Sequence, residues 1–323
     1  WIKFRDIALY WTAKGVDGFR YDMAEMVPVE FWSYMNSAIK VKNPDAFLMA
    51  EVYNPNEYRN YIRLGKMDYL YDKVETYDHL KAVIQGKTWP DGLSDIQHRM
   101  TDIEHHMLKF LDNHDEQRLA SPEFAGTPEK GKPLMVVSAT ISTAPTMIYF
   151  GQEVGEAGNE NAGFGTHSRT SIFDYIGVPN HQRWMNGGKF DGGQLSQGEK
   201  ELRDFYKRLL NFSINSSALM GNFQEIQTAN RNITPGYDIA IYSYTRWSDT
   251  QKLIVVTNFY SLASSNFELR IPADIIQKWN LKDGTYTITD QLYHNKTTQL
   301  KVENGEGKAQ ISIGPSESFI FQL

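Results

Sequence analysis

The chain has 323 residues, 41% of them hydrophobic and 22% charged, with a formal net charge of −6. That is enough for two domains, or for one large domain with a small companion, and enough apolar content for a packed core. No stretch concentrates Lys and Arg, which argues against a nucleic-acid surface; the lack of cysteine excludes disulfides and thiolate metal sites; and no apolar run approaches the roughly 20 residues of a bilayer span.

In chain order, WIKFRDIALYWTAK (1–14) places Trp1, Phe4, Ala8 and Trp11 at helical spacing, with Gly15 as its stop. A strand is expected over 16–22, then a helix over 28–41 with Pro28 in its first turn. The alternation continues: strand 46–52, helix 54–65, strand 67–72, helix 75–86, strand 107–115, helix 131–143 and strand 146–153. An amphipathic helix is expected over 199–215. Strands alternating with helices predict βαβ units and a parallel sheet of five strands. The intervening stretch 151–198 holds 11 of the 24 glycines, together with Phe164, Phe173, Tyr175, Trp184 and Phe190, and predicts a long functional loop. Beyond residue 216, DIAIYSYTRW, KLIVVTNFY, FELRIP, TYTITDQLY and SFIFQL predict an antiparallel β-sandwich. The expected domains are therefore 1–215, α/β, and 216–323, all-β.

Three of the α/β strands run into carboxylates: Asp22, Glu51 and Asp115, from three different units. Strand C-termini are where catalytic groups gather in parallel α/β folds, and carboxylates brought together there divide into acid and nucleophile. In GFRYDMAE, Arg20 and Asp22 are two apart and share a strand face, so a charge-assisted pair would keep Asp22 ionised. A single acid after a strand is more often a helix cap or a solvated end. Three of them, with Arg20 and His114 alongside, lower that reading. EHH at 104–106 lacks metal-ligand spacing, GFG at 163–165 lacks the rest of a nucleotide loop, and Ser168 has no nucleophile elbow. No metal site is expected.

GVDGFRYDMAE, LMAEVYNP, FLDNHDEQR and TMIYFGQE resemble, in order, signature regions of the α-amylase family of glycoside hydrolases. The resemblance covers about 1–215, and 216–323 is similar to that family's C-terminal β-sandwich. It implies a partial TIM-type (β/α) barrel, strands four to eight, and a retaining hydrolase of α-linked glucans such as starch and maltooligosaccharides. The alternatives are an α-glucosidase, a transglycosylase or a non-catalytic carbohydrate-binding relative. Asp22 matches the nucleophile, Glu51 the general acid/base and Asp115 the third carboxylate. Arg20 and His114 match residues that orient the nucleophile and bind the reacting sugar. Tyr53 and Trp184 are expected sugar contacts. No cofactor is required for the chemistry, and Met26 stands where the family often has a histidine at a structural calcium. The family's first three strands, with an Asp-x-x-x-Asn-His region, find no match. Strands four and eight are then expected to present free edges, covered by a separate N-terminal piece, by a second copy or by a rearranged core, and turnover by this chain alone is expected to be low. A polymeric substrate favours an extracellular or periplasmic location.

Overall fold

The computed structural model describes residues 1–158, 178–293 and 296–323. Phe164, Ser168, Phe173, Tyr175 and the GFG stretch lie outside the described residues. Two compact units are present, one built from Trp1–Asp78, Ile96–Phe110 and Ala144–Met147, the other from His79–Asp95, Leu111–Thr143 and Ile148–Leu323.

The chain begins with α1 (Ile2–Ala13), β1 (Gly18–Tyr21), α2 (Val29–Lys42), β2 (Phe47–Ala50), α3 (Tyr58–Arg63) and β3 (Tyr69–Tyr71). Then follow α4 (Asp78–Ile84), α5 (Gly92–Met100) and β4 (Met107–Leu108). The sheet of the first unit is parallel, in the order β1-β2-β3-β4, with Tyr21 opposite Ala50 and Tyr71 opposite Leu108. Lys109 adds a parallel bridge to Thr146. Leu48, Ala50, Leu70 and Met107 supply a core closed by Trp32, Met35, Ile39 and Tyr58. At Gly18 a Cβ would stand 2.0 Å from the Phe47 carbonyl oxygen, so the close approach of β1 to β2 requires glycine. Gly15, at φ 93°, is the residue beyond the α1 C-cap, where an L side chain would be strained.

Several boundaries differ from those expected. Among the described residues, the strand expected over 107–115 pairs only through Met107–Leu108 and the Lys109 bridge, and that expected over 146–153 pairs only at Thr146. In both cases the residues that follow satisfy themselves locally: Asn113 Oδ1 accepts the N–H groups of Asp115 and Glu116, and Gly151 and Gly155 turn the chain at positive φ. Helix α5 lies where no element was expected. Its LSDIQHRM run is too polar to stand out, although Leu93, Ile96 and Met100 are buried. In α1 the expected core face is largely exposed, with Trp1 at 60%, Phe4 at 65% and Trp11 at 50%, and only Ala8 and Thr12 buried. Among the described residues the helix is held against α2, through Trp1 and Phe4 on Phe31. Among the described residues β1 pairs with β2 alone, so it is an edge strand.

The second unit contains α6 (Pro128–Thr140), α7 (Pro179–Met185) and α8 (Gln197–Asn215). Helix α8 starts at a capping box: Ser196 accepts from the Glu199 N–H, and Glu199 accepts from the Ser196 N–H. Then come β5 (Asn222–Glu225), β6 (Ile241–Trp247), β7 (Lys252–Asn258), β8 (Ser265–Ile271), α9 (Ala273–Lys278), β9 (Gly284–Asp290), β10 (Thr297–Glu303), β11 (Glu306–Ile313) and β12 (Ser318–Gln322). The eight strands form one antiparallel sheet, ordered β5-β6-β7-β12-β9-β10-β11-β8, curled so that inward residues from both halves meet. Ile254, Val256, Leu269, Leu300, Ile311 and Phe319 share that core, as a sandwich requires. Strand β11 alternates exposed and buried along its length. Strand β6 is buried on both faces because α6 covers its outer side, Thr140 bonding the Tyr244 hydroxyl and Arg246 donating to the Ile141 carbonyl at 2.8 Å. Strands β5, β10 and β11 are not among the expected strands, although the Asn304-Gly305 pair between the last two is a strong hairpin signal. No helix among the described residues is long and apolar enough to cross a membrane.

Candidate active site

Asp22 and Glu51 follow directly on Tyr21 and Ala50, which are partners across adjacent parallel strands, so the two carboxylates leave the same end of the sheet side by side. Arg20, one pleat before Asp22 on the same face, joins them. Its Nη1 donates to Asp22 Oδ1, and its Nη2 donates to Glu51 Oε2 at 3.3 Å. The Tyr71 ring at the end of β3 lies beneath the guanidinium, 5.5 Å from centroid to Cζ. Burial pulls the Arg20 pKa down, but hydrogen bonds to Asp22 and Tyr71 and the Glu51 charge outweigh it, so the group is held more firmly cationic than usual. The carboxylates differ in setting: the Glu51 side chain is 12% exposed and that of Asp22 is 69% exposed.

The loops beyond these residues are stitched together. Met23 sits at φ 42°, a left-handed conformation unusual for its type, and its N–H donates to Glu51 Oε2 at 2.9 Å. The Ala24 N–H donates to the Glu51 carbonyl at 3.0 Å. Glu25, overlooked in the sequence, accepts the N–H groups of Tyr53 and Asn54 at 3.0 and 2.9 Å. Tyr53 therefore stands in a loop fixed to the one that carries Asp22. Strain of this kind persists where surrounding bonds over-determine it, and here they also fix Glu51.

The rule that selected Asp22 and Glu51 applies equally to Asp72, which follows β3. What separates it is burial. Asp72 and Lys109 are 1% and 2% exposed and form an ion pair, and Asp72 also accepts from the Thr76 N–H at 2.8 Å and the Thr76 hydroxyl at 2.6 Å. A carboxylate so enclosed braces β3 against β4 and is closed to a substrate. Arg20 and Asp22 also border a cavity of about 560 Å³ lined mainly by aromatic side chains, among them Trp1, Phe4, Trp11, Phe31 and Trp32.

His114 and Asp115 belong to the second unit, where His114 Nε2 lies 3.0 Å from Asp115 Oδ2. They are carried by the irregular segment after Leu111. Trp184, in α7, stacks on His181 with centroids 5.6 Å apart and carries the Arg203 guanidinium 5.5 Å from its ring centre. The expected residues thus form one cluster of Arg20, Asp22 and Glu51 in the first unit, with Tyr53 in its adjoining loop, and a pair, His114 and Asp115, in the second. Among the described residues no three His, Asp or Glu side chains come together to hold a metal ion, and Met26 is exposed.

The family model of the α-amylase catalytic domain matches residues 2–186, more than half of the chain. The chain belongs to the α-amylase family. Members of this α-amylase family are glycoside hydrolases acting on O-glycosyl bonds. Alpha-amylase 3 of Dictyoglomus thermophilum is 25% identical over 303 residues, which is 86% of this chain and 57% of that relative. A cyclomaltodextrinase of Geobacillus thermopakistaniensis is 26% identical over 166 residues, 48% of this chain and 27% of the relative. The chain thus spans little more than half the length of the first relative and about a quarter of the second. Among solved structures, an Anoxybacillus α-amylase superposes with a TM-score of 0.71 at 18% identity, covering 100% of this chain and 62% of that one. AmyP, solved in complex with maltose, superposes with a TM-score of 0.70 at 18% identity, covering 99% and 67%. These likenesses carry the α-amylase fold: a partial (β/α) barrel followed by an antiparallel β-sandwich.

Proposed function

We propose that the chain carries the chemistry of a retaining glycoside hydrolase acting on α-linked glucans, with its catalytic part over 1–215 and its β-sandwich over 216–323. The observation that carries this reading is that one guanidinium, Arg20, binds both Asp22 and Glu51 at the ends of neighbouring strands. Retaining enzymes need two carboxyl groups about 5–5.5 Å apart, one to attack and one to shuttle a proton. Asp22, more open and paired with Arg20, attacks the anomeric carbon as the glycosidic bond breaks. Glu51 gives its proton to the departing oxygen. Water then enters, Glu51 takes its proton, and the hydroxide oxygen displaces Asp22 from the sugar. Asp115 and His114 bind hydroxyls of the reacting sugar, and Tyr53 and Trp184 line the substrate path. The relatives' names support the glucan: α-amylase and cyclomaltodextrinase.

A second reading, transfer of the glycosyl group to an acceptor sugar in place of water, uses the same residues. It is favoured by a likeness of 35% identity over 69 residues, 21% of this chain, to an α-1,4-glucan:maltose-1-phosphate maltosyltransferase of Cereibacter sphaeroides. Product analysis with and without added maltose separates the two readings.

The test of roles compares two substrates. Asp22→Asn abolishes turnover on both an aryl maltooligosaccharide with an activated leaving group and on starch, because an amide is too poor a nucleophile. Glu51→Gln spares the activated substrate by at least a factor of ten over starch, since a good leaving group needs little protonation. Equal losses on the two substrates would refute the acid assignment.

We further propose that the chain by itself turns over slowly. Among the described residues, strand β1 offers an unpaired edge beside the aromatic cavity that borders Arg20 and Asp22, and each Å² of apolar surface left in water there costs about 25 cal/mol. A second copy or another segment covering that edge would raise turnover. Turnover per mole on starch equal to that of the Dictyoglomus relative would refute this. A polymeric substrate favours a location outside the cytoplasm.

A further inference from the structure

The segment 111–119 carries His114 and Asp115, yet it contains no regular element. Its order comes from a buried group that the proposed chemistry does not use. Asp112 and Arg118 are 1% and 0% exposed and face each other, Arg118 Nη1 donating to Asp112 Oδ2 at 3.3 Å. The other Asp112 oxygen accepts the Leu119 N–H. The carboxylate thus closes the segment on itself, holding the seventh residue onward by its backbone. Arg118 in turn donates to the Phe150 carbonyl at 2.7 Å and lies 4.5 Å from the centre of the Tyr149 ring and 4.9 Å from that of Phe150. Within the closed turn, Asn113 Oδ1 accepts the N–H groups of Asp115 and Glu116, both at 2.8 Å. Burial drives the Asp112 pKa up to about 6, against the pull of Arg118 and the Leu119 N–H, and the Glu156 charge adds to the rise. A buried ionic pair is costly unless its geometry is good, and this one sits three residues from Asp115.

We propose that Asp112 and Arg118 are positioning residues, a buried clamp that fixes His114 and Asp115 for binding the reacting sugar. The inference rests on the sugar-binding role given above to those two residues. The clamp touches no substrate. It acts by denying the 113–117 turn its alternative conformations, so that the two polar side chains meet a sugar hydroxyl without an ordering cost.

The experiment uses the whole chain and two readouts, amide hydrogen exchange and calorimetric affinity for maltotriose. Asp112→Asn keeps an acceptor for the Leu119 N–H but gives up the charge. Arg118→Lys keeps the charge but gives up the guanidinium fork, and it serves where the first variant folds poorly. Either variant should speed exchange at Asp115, Glu116 and Leu119 at least tenfold more than at β6 and β7, and should weaken maltotriose binding at least fivefold. Exchange that rises equally at all these amides would make the pair an ordinary core element and overturn the proposal, as would unchanged maltotriose affinity alongside a loosened turn. Asp115→Asn is the control on the underlying reading. If it leaves maltotriose affinity unchanged, the sugar-binding role of this segment is wrong, while the exchange data still decide whether the clamp orders it.

Discussion

Replacing Arg20 by methionine roughly keeps the volume of the side chain and removes its charge and all of its N–H donors. The parent residue makes two charge-assisted hydrogen bonds, to Asp22 and to Glu51. A hydrogen bond to a charged group contributes about 1.5–3 kcal/mol when shielded from water. Glu51, 12% exposed, is close to that limit, whereas Asp22, 69% exposed, belongs with surface pairs of about 0.2–1 kcal/mol. Together they supply about 2–4 kcal/mol to the arrangement of the two carboxylates. At about 1.4 kcal/mol per factor of ten, Arg20→Met should lower kcat/KM on an aryl maltooligosaccharide by about 30- to 1,000-fold. Arg20→Lys restores a point charge without the fork that reaches both acids, and should recover only part of the loss. The assay is initial-rate hydrolysis at matched native fraction, with Asp22→Asn as the zero. A kcat/KM for Arg20→Met within threefold of the parent would refute the idea that one guanidinium organises the pair.

Lys109→Met leaves Asp72 buried without its counter-charge and should cost about 3–5 kcal/mol in urea unfolding, while the double change Asp72→Leu with Lys109→Met should cost markedly less; equal costs would mean that the pair is not coupled. For Asp112, with a folded pKa of about 6 against an ordinary 3.8, the folded state keeps a proton that the unfolded chain has released, so this group's contribution to stability is full below about pH 4 and is lost as pH rises through 6. On that basis the parent should lose about 2 kcal/mol from this group between pH 4 and pH 6.5, and Asp112→Asn should flatten that slope; parallel slopes would contradict the assigned cause.

The local pattern of the chain determined the α/β alternation of its first half, the all-β character of its second, and which strand ends carry acids. Those features follow from period-2 and period-3.6 hydrophobicity and from turn residues, which act over a few positions. The sequence also paired Arg20 with Asp22, because two residues apart on one strand is a local relation. It did not determine that the same guanidinium reaches Glu51, since that depends on the parallel register of β1 on β2, set by a glycine that admits the Phe47 carbonyl. Nor did it distinguish Asp72 from Glu51. Both end an apolar run, and only the tertiary structure encloses one with Lys109 and Thr76 and leaves the other beside Arg20. The face of α1 shows the same limit: its spacing is that of a core helix, but burial depends on what stands opposite, and of Trp1, Phe4, Ala8 and Trp11 only Ala8 is covered. Periodicity states which side chains share a face; whether that face, or that carboxylate, meets protein or water is decided by contacts between residues far apart in the chain.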